Sequence, residues 1–148
     1  MNYLYRDLSI YADPDDNLII IPTGHSPKRG GLIELNLPVQ LLSPYSDIEL
    51  EKVINQTLDR CFSIIPEDDK MTPIEKFLSI KGYSRAVKER RFISFFWNVD
   101  EGYRITPTKK ESRQGYCSMI DKAIRLGLNP KEGEIAKAIR EAMKLSTL

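Results

Sequence analysis

The sequence predicts an α+β fold in which helices pack on a mostly antiparallel sheet. Two observations support this class: two parts of the chain align as strand–loop–strand–helix units, and the predicted strands follow one another as hairpins. Hairpin neighbours run antiparallel, and a sheet with an apolar face needs helices to cover it. The 148 residues are expected to form one domain, 1–148, because a chain of this length buries a core without disulfides.

An internal pseudo-repeat relates residues 18–58 to residues 103–143 at a constant offset of 85, without a gap. Its clearest matches are Pro22 with Pro107, Thr23 with Thr108, Gly30 with Gly115 and Leu41 with Leu126. No single match is informative, but their common register predicts that the two units occupy equivalent places on one sheet.

Each unit begins with a strand of β-branched or aromatic residues, and a proline follows that strand. A polar loop containing glycine then leads to a second extended run. The segment 91–99, RFISFFWNV, is a further strand, and the turn at 100–102 predicts a hairpin between 91–99 and 103–107. About six strands are expected in all, among them 18–21, 32–35 and 116–119.

Two amphipathic helices are predicted, one in each unit. Ser46–Phe62 has the spacing of one buried stripe, with Ser46 as N-cap and Glu49 placed to complete a capping box. Residues 130–145 have the same spacing, with Asn129 as N-cap and Pro130 in the first turn. Helical spacing at 72–89, interrupted by Gly82, brings the total to three or four helices. The residues expected in the core are Leu50, Ile54, Ile135 and Ile139.

The composition is that of a globular protein, with 41% hydrophobic and 29% charged residues. No apolar run approaches the ~20 residues of a membrane span. The N-terminus lacks the basic and apolar segments of a secretory signal, so the chain is expected in the cytoplasm. Cys61 and Cys117 are far apart and outside any CxxC pair, which argues against a disulfide scaffold and a zinc site. We expect no metal and no cofactor.

The net charge of +1 conceals an uneven distribution along the chain. Residues 1–69 hold 5 Lys and Arg against 12 Asp and Glu, for a charge of −7, whereas residues 70–148 hold 17 against 9, for +8. Either the halves attract each other within one body, or one of them faces a partner of opposite charge. The segment Lys81–Arg91 is the strongest basic stretch, and its pattern fits a nucleic-acid surface or a solvent-exposed basic helix.

His25 is the only histidine and therefore the first candidate for a catalytic base. Its loop, TGHSPKRGG, supplies no nucleophile or orienting carboxylate at a recognisable spacing, so we interpret His25 as exposed and non-catalytic. The glycines around Lys28 and Arg29 do not form a P-loop either, because a P-loop enters a helix and this loop leads into a strand. An enzyme centred on His25 stays a minor alternative.

Two acidic clusters lie in predicted turns, and neither has the spacing of an EF-hand calcium loop. They are either solvated turns or a surface for a basic partner, whose approach a negative potential accelerates. Aromatic residues offer a second candidate surface. Phe95, Phe96 and Trp97 are consecutive in a strand, so at least one ring points away from the core and is either covered by a helix or part of a binding patch.

The second unit and its lead-in also carry a family resemblance. They read GYSRAVKERRFISFFWNVDEGYRITPTKKESRQGY and, after a link, EIAKAIREAM. This order of a basic helix, two strands ending in Thr-Pro-Thr, a glycine loop and a final helix resembles the immunity proteins of bacterial contact-dependent growth inhibition systems. The first unit, with IIIPTGHSPKRGG and SDIELEKVINQTL, is similar to the weaker N-terminal copy in that family. The resemblance covers residues 18–145 and depends on short structural motifs.

The resemblance implies a cytoplasmic protein that is not an enzyme and uses no cofactor. Such a protein binds the C-terminal toxin domain of a large secreted effector and neutralises it by blocking the active site, the toxin often being a nuclease such as an RNase. A nuclease attracts phosphates with positive charge, so the expected partner-binding residues are acidic. They are Asp13, Asp15, Asp16, Glu67, Asp68 and Asp69. The alternative is a small nucleic-acid-binding regulator that uses the basic C-terminal half.

Overall fold

The computed structural model describes residues 4–66 and 70–148, and its elements confirm the predicted α+β class. The strands and helices are β1 (Tyr5–Ala12), β2 (Leu18–His25), β3 (Leu32–Glu34), β4 (Val39–Leu41), α1 (Asp47–Leu58), α2 (Pro73–Leu78), α3 (Tyr83–Ala86), β5 (Arg91–Asn98), β6 (Gly102–Glu111), β7 (Gly115–Ser118), β8 (Ile124–Gly127) and α4 (Glu134–Leu145). The expectation of about six strands was too low, since the described residues form eight.

The strands form one antiparallel sheet in the order β3-β2-β1-β5-β6-β7, with β4 paired to β2 and β8 paired to β6. Each unit of the chain thus contributes a long strand, β2 or β6, whose outer edge is shared by two short strands. The two units meet at the centre, where β1 pairs with β5 along its full length.

The strand registers follow the same offset of 85 that the sequence shows. Leu8 pairs with Pro22 as Ile93 pairs with Pro107, and Ile20 pairs with Val39 as Ile105 pairs with Ile124. At the centre, Ser9 pairs with Ser94, its own equivalent. A local twofold axis therefore passes through the sheet between these two serines.

Helices α1 and α4 pack side by side on one face of the sheet, which we call the helical face. The four helix residues expected in the core, Leu50, Ile54, Ile135 and Ile139, are buried there, which confirms that prediction. Opposite them the strands contribute apolar side chains that include Leu8, Ile10, Ile20, Ile93, Phe95 and Ile105.

Helices α2 and α3 lie on the opposite face, which we call the linker face because their segment joins the two units. Gly82 separates them with a φ of 100°, as its position in the sequence predicted. Ile74 of α2 and Val87 after α3 pack against a smaller cluster of sheet residues, Tyr11, Ile19, Ile21, Phe92 and Tyr116. The sheet is thus covered on both faces, but unequally.

The N-terminus of α4 departs from the prediction. The helix begins at Glu134 with Gly133 as N-cap, not near Asn129 and Pro130. The carboxylate of Glu51 in α1 accepts hydrogen bonds from the backbone N–H groups of Gly133 and Ala136 at 3.0 and 2.9 Å. Two of the backbone donors at this helix end are therefore satisfied by a distant residue of the other unit.

Helix α1 begins as predicted, since the Ser46 hydroxyl accepts a hydrogen bond from the Glu49 backbone N–H at 3.1 Å. It ends at Leu58, short of the predicted Phe62, and turns carry the chain on to Cys61, whose side chain is buried.

Candidate functional site

The first acidic turn is organised by its own side chains. The Asp13 carboxylate accepts hydrogen bonds from the backbone N–H groups of Asp15 and Asn17 and from the Asn17 amide, at 2.9 to 3.0 Å. Burial opposes ionisation, but these hydrogen bonds lower the pKa of Asp13. Asp16 forms an ion pair with Arg91 of β5, and Asp15 is exposed. Two of these three predicted partner-binding residues therefore also have a structural role.

The second predicted cluster, Glu67, Asp68 and Asp69, lies outside the described residues. The residues on either side of it, Pro66 and Lys70, line a cavity of about 150 Å³ that also contains Glu34. Whether any of the six acidic residues contacts a partner stays a prediction.

Contacts between the two charged halves involve two of the basic residues. In addition to the Arg91–Asp16 pair, the Arg140 guanidinium donates to Asp47 at 3.0 Å and to the Tyr45 carbonyl at 2.8 Å. These contacts favour the interpretation that the halves attract each other within one body.

His25 and the two cysteines do not assemble a nucleophilic site. His25 is exposed at the end of β2, and its side chain hydrogen bonds to no other residue in the ranges 4–66 and 70–148. Cys61 is buried beside the Asp7 carbonyl, and burial raises the pKa of its thiol. A thiol of this kind is protonated and a poor nucleophile.

A network of polar side chains, absent from the sequence interpretation, lies on the linker face. The Tyr11 hydroxyl donates to Glu34 Oε2 at 2.8 Å and is 2.9 Å from the Tyr83 hydroxyl, and Ser9 also hydrogen bonds to Glu34. Burial raises the pKa of Glu34 and raises that of Tyr83 to about 12. These side chains come from β1, β3 and α3, so only the folded sheet brings them together.

Asp7 lies on the same face as this network, two positions before Ser9 in β1. Burial, followed by the nearby Glu34 carboxylate, raises the pKa of Asp7 to about 7. Arg104 of β6 and a hydrogen bond from the backbone of Leu8 act in the opposite direction without cancelling these effects. Strongly perturbed carboxylates of this kind are often found at functional sites.

The aromatic ring expected to point away from the core is Phe96. Phe95 is buried in the helical face, whereas Phe96 points to the linker face, where Tyr5 stacks beside it with ring centroids 6.4 Å apart. The Arg104 guanidinium carbon lies 4.8 Å from the centroid of the Phe96 ring. Arg104 makes no hydrogen bond or ion pair with the described parts of the chain.

We call the group of Tyr5, Asp7, Phe96 and Arg104 the open patch, because each of its side chains keeps part of its surface in solvent. Asp7 and Phe96 face each other across β1 and β5, and Phe96 faces Arg104 across β5 and β6. The patch is therefore a row across the sheet that combines a carboxylate, aromatic rings and a guanidinium. Such a row can bind a protein surface of complementary charge.

In the part of the chain that the structure describes, no three His, Cys, Asp or Glu side chains are grouped so that they could hold a metal ion. Among these same residues, no helix has the length and apolar character needed to cross a membrane.

Comparisons with known proteins identify the fold. A solved structure described as a protein of unknown function, NMB0488 from Neisseria meningitidis, matches with a TM-score of 0.73 and 14% identity over 99% of this chain and 98% of that chain. A chain of the CdiA-CT/CdiI toxin and immunity complex from Yersinia pseudotuberculosis matches with a TM-score of 0.69 and 13% identity, over 96% and 97%. This chain has the fold of both proteins. No protein-family model matches the sequence, and no curated protein does.

Proposed function

We propose that this chain is an immunity protein that binds and neutralises the C-terminal toxin domain of a contact-dependent growth inhibition effector. The observation that carries the proposal is the match to a chain of a toxin and immunity complex over 96% of this chain and 97% of that one. A shared fold does not by itself transfer a function. The motif order within residues 18–145, however, independently resembles the immunity proteins of these systems.

The proposed mechanism is inhibition by binding, in the cytoplasm and without a cofactor. His25 has no side-chain partner in the described ranges and Cys61 is a buried thiol, and both observations favour binding over catalysis. We further propose that the toxin is a nuclease, such as an RNase, and that this chain blocks its active site. Carboxylates on this chain suit the positive cleft with which a nuclease attracts phosphates.

The direct test is protection from a toxin. The first step is to look for a gene of a large secreted protein immediately upstream of this chain's gene. The probe is the C-terminal domain of that protein, expressed in a bacterial host with and without this chain. We expect growth arrest by the domain alone, normal growth on co-expression, and a stoichiometric complex by size-exclusion chromatography. Growth arrest that persists on co-expression, with no complex, would contradict the proposal.

The His25→Ala variant tests the proposed absence of catalysis. We expect it to protect the host as fully as the wild type, because no group among residues 4–66 and 70–148 completes a catalytic set around the imidazole. Circular dichroism verifies that the variant is folded. A folded variant that no longer protects would indicate an enzymatic mechanism.

Salt dependence separates the proposed function from a nucleic-acid-binding regulator. A protein that neutralises several phosphates loses about 10³–10⁵ in affinity between roughly 50 and 200 mM salt. We expect no binding to duplex DNA or to RNA in either condition. Tight binding at low salt that is lost at high salt would favour the regulator.

A further inference from the structure

The local twofold axis between Ser9 and Ser94 divides the linker face into two equivalent halves. In the first half, Tyr11, Ile19 and Phe92 belong to the cluster that α2 and α3 cover. The offset of 85 assigns their counterparts in the second half, which are Phe96, Arg104 and Asp7. Three residues of the open patch are therefore the equivalents of three residues that the chain covers with its own linker.

The two halves differ in chemistry as well as in cover. Arg104 takes the place of an isoleucine of the covered half, and Asp7 takes the place of a phenylalanine. The third pair, Tyr11 and Phe96, is aromatic in both halves. A surface that the chain always covers is mostly apolar or has its polar groups paired, as Tyr11 is with Glu34, whereas a surface covered by a separate partner combines rings with charges that water can solvate before binding. The composition of the open half fits the second case.

The charges of the open patch favour a cationic ligand group. The charged groups that act on the Asp7 carboxylate are Glu34 of β3 and Arg104 of β6, while Cys61 on the other face contacts only its backbone carbonyl. Burial and Glu34 outweigh Arg104, so the patch does not supply enough positive charge to offset the cost of ionising Asp7. An additional cation beside Asp7 would supply it. The neighbouring rings of Tyr5 and Phe96 offer the aromatic surface on which lysine and arginine side chains also bind.

We propose that the open patch is the docking surface for the toxin domain, and that a lysine or arginine side chain of that domain binds beside Asp7 at the rim of the Tyr5–Phe96 stack. This inference rests on the proposed function. It places the main electrostatic contact on the sheet and not in the acidic turns.

The decisive variant is Asp7→Asn, which removes the charge and keeps the size of the side chain. We expect it to weaken binding of the upstream-encoded toxin domain by at least about tenfold in isothermal titration calorimetry, as for a central charged contact. The same change removes a buried carboxylate and so makes the fold more stable. A weaker complex formed by a more stable protein cannot be attributed to misfolding.

Two further variants complete the experiment. Phe96→Leu keeps an apolar side chain but removes the ring, and we expect it to weaken binding by roughly threefold or more. Asp121→Asn changes an exposed carboxylate in the connection between β7 and β8 and serves as the matched control, with an expected affinity equal to that of the wild type.

The outcomes separate the two proposals. If the wild type forms no complex, the proposed function fails and this inference fails with it. If the wild type binds but Asp7→Asn and Phe96→Leu bind equally tightly, the docking surface lies elsewhere and only this inference is overturned. A loss of affinity confined to Asp15→Lys and Asp16→Lys would also overturn it, and would assign binding to the acidic turn.

Discussion

The two faces of this sheet are built from the same strands but differ in composition. Along β1, Leu8, Ile10 and Ala12 enter the core beneath α1 and α4, while the alternate residues Asp7 and Ser9 lie on the linker face. The helical face is apolar throughout its buried part, and the linker face combines a small apolar cluster with a polar network and the open patch. The pleat therefore separates the residues of the main core from those of the open patch.

This difference implies that the loss of an apolar group from the helical face and the loss of the Asp7 charge from the linker face have opposite effects on stability. On the helical face, a smaller side chain leaves a cavity and lowers the free energy of unfolding. On the linker face, removal of a buried charge raises the free energy of unfolding, and the loss that we expect is weaker binding of the toxin domain. A set of variants ordered by expected effect tests this contrast.

The largest effect is expected from Ile139→Ala in α4. Ile139 is fully buried, and its loss should lower the free energy of unfolding by about 2–5 kcal/mol in urea denaturation. Its equivalent in the other unit, Ile54→Ala, should cost a similar amount, because Ile54 is buried in the same core. A cost below about 1 kcal/mol at both positions would show that the helical face is not the main core.

Asp7→Asn should act in the opposite direction and with a defined dependence on pH. The pKa of Asp7 is about 7 in the folded state and 3.8 for an unperturbed aspartate. At pH values between these two, the folded state therefore binds more protons than the unfolded state. The free energy of unfolding of the wild type should therefore fall as pH rises from about 4 to about 7. The variant has no carboxylate to ionise at this position, so its stability does not fall in this way. At pH 8 it should be more stable than the wild type by at most about 4 kcal/mol.

Thermal denaturation of both proteins at several pH values measures this difference. The stability advantage of the variant should be smallest at about pH 4 and level off above about pH 7. A constant difference across that range would show that Asp7 ionises normally in the fold.

A smaller effect is expected from Tyr11→Phe, which removes only the hydroxyl group. Glu34 Oε2 then loses a donor at 2.8 Å, and Tyr83 loses its partner at 2.9 Å. We expect a loss of about 1–3 kcal/mol in urea denaturation, as for a buried acceptor left without a donor. A variant as stable as the wild type would indicate that the polar network contributes little to the fold.

The smallest effect is expected from Asp15→Asn in the first acidic turn. Asp15 is exposed and its side chain organises nothing in the turn, so the free energy of unfolding should change by less than about 0.5 kcal/mol. Asp13→Asn is the informative comparison, because Asp13 accepts the hydrogen bonds that form the turn. Equal stability of the two variants would show that the turn does not depend on its first carboxylate.

The sequence was sufficient to predict the elements that local rules determine. The apolar stripe and the N-cap of α1 were found because helical spacing and Ser46 lie within one short segment. The start of α4 was missed because its cap comes from Glu51, more than 80 positions earlier in the chain. Strand β1 was not assigned from the sequence. Its residues, YRDLSIYA, alternate only partly between polar and apolar, because both faces of the sheet are covered.

The candidate site was less accessible from the sequence for the same reason. The acidic turns stood out because their carboxylates are consecutive, whereas Asp7 and Glu34 are isolated in the sequence and meet only across β1, β2 and β3. The FFW run did predict a ring on the face opposite the core, and Phe96 occupies that position. The offset of 85 could also have indicated the site, because it relates Asp7 and Arg104 to residues that are apolar in the other half.

The central pairing of β1 with β5 also has a consequence for synthesis on the ribosome. Strand β1 is complete at Ala12, but its partner begins at Arg91, about 80 residues later. At translation rates of about 5–20 residues per second, roughly 4–16 s pass before β5 is made. Throughout that interval the nascent first unit has an unpaired strand edge, and Leu8 and Ile10 lack the cover of α4, which leaves the kind of surface that recruits other chains. Chaperone binding to the nascent first unit should therefore end when β5 emerges.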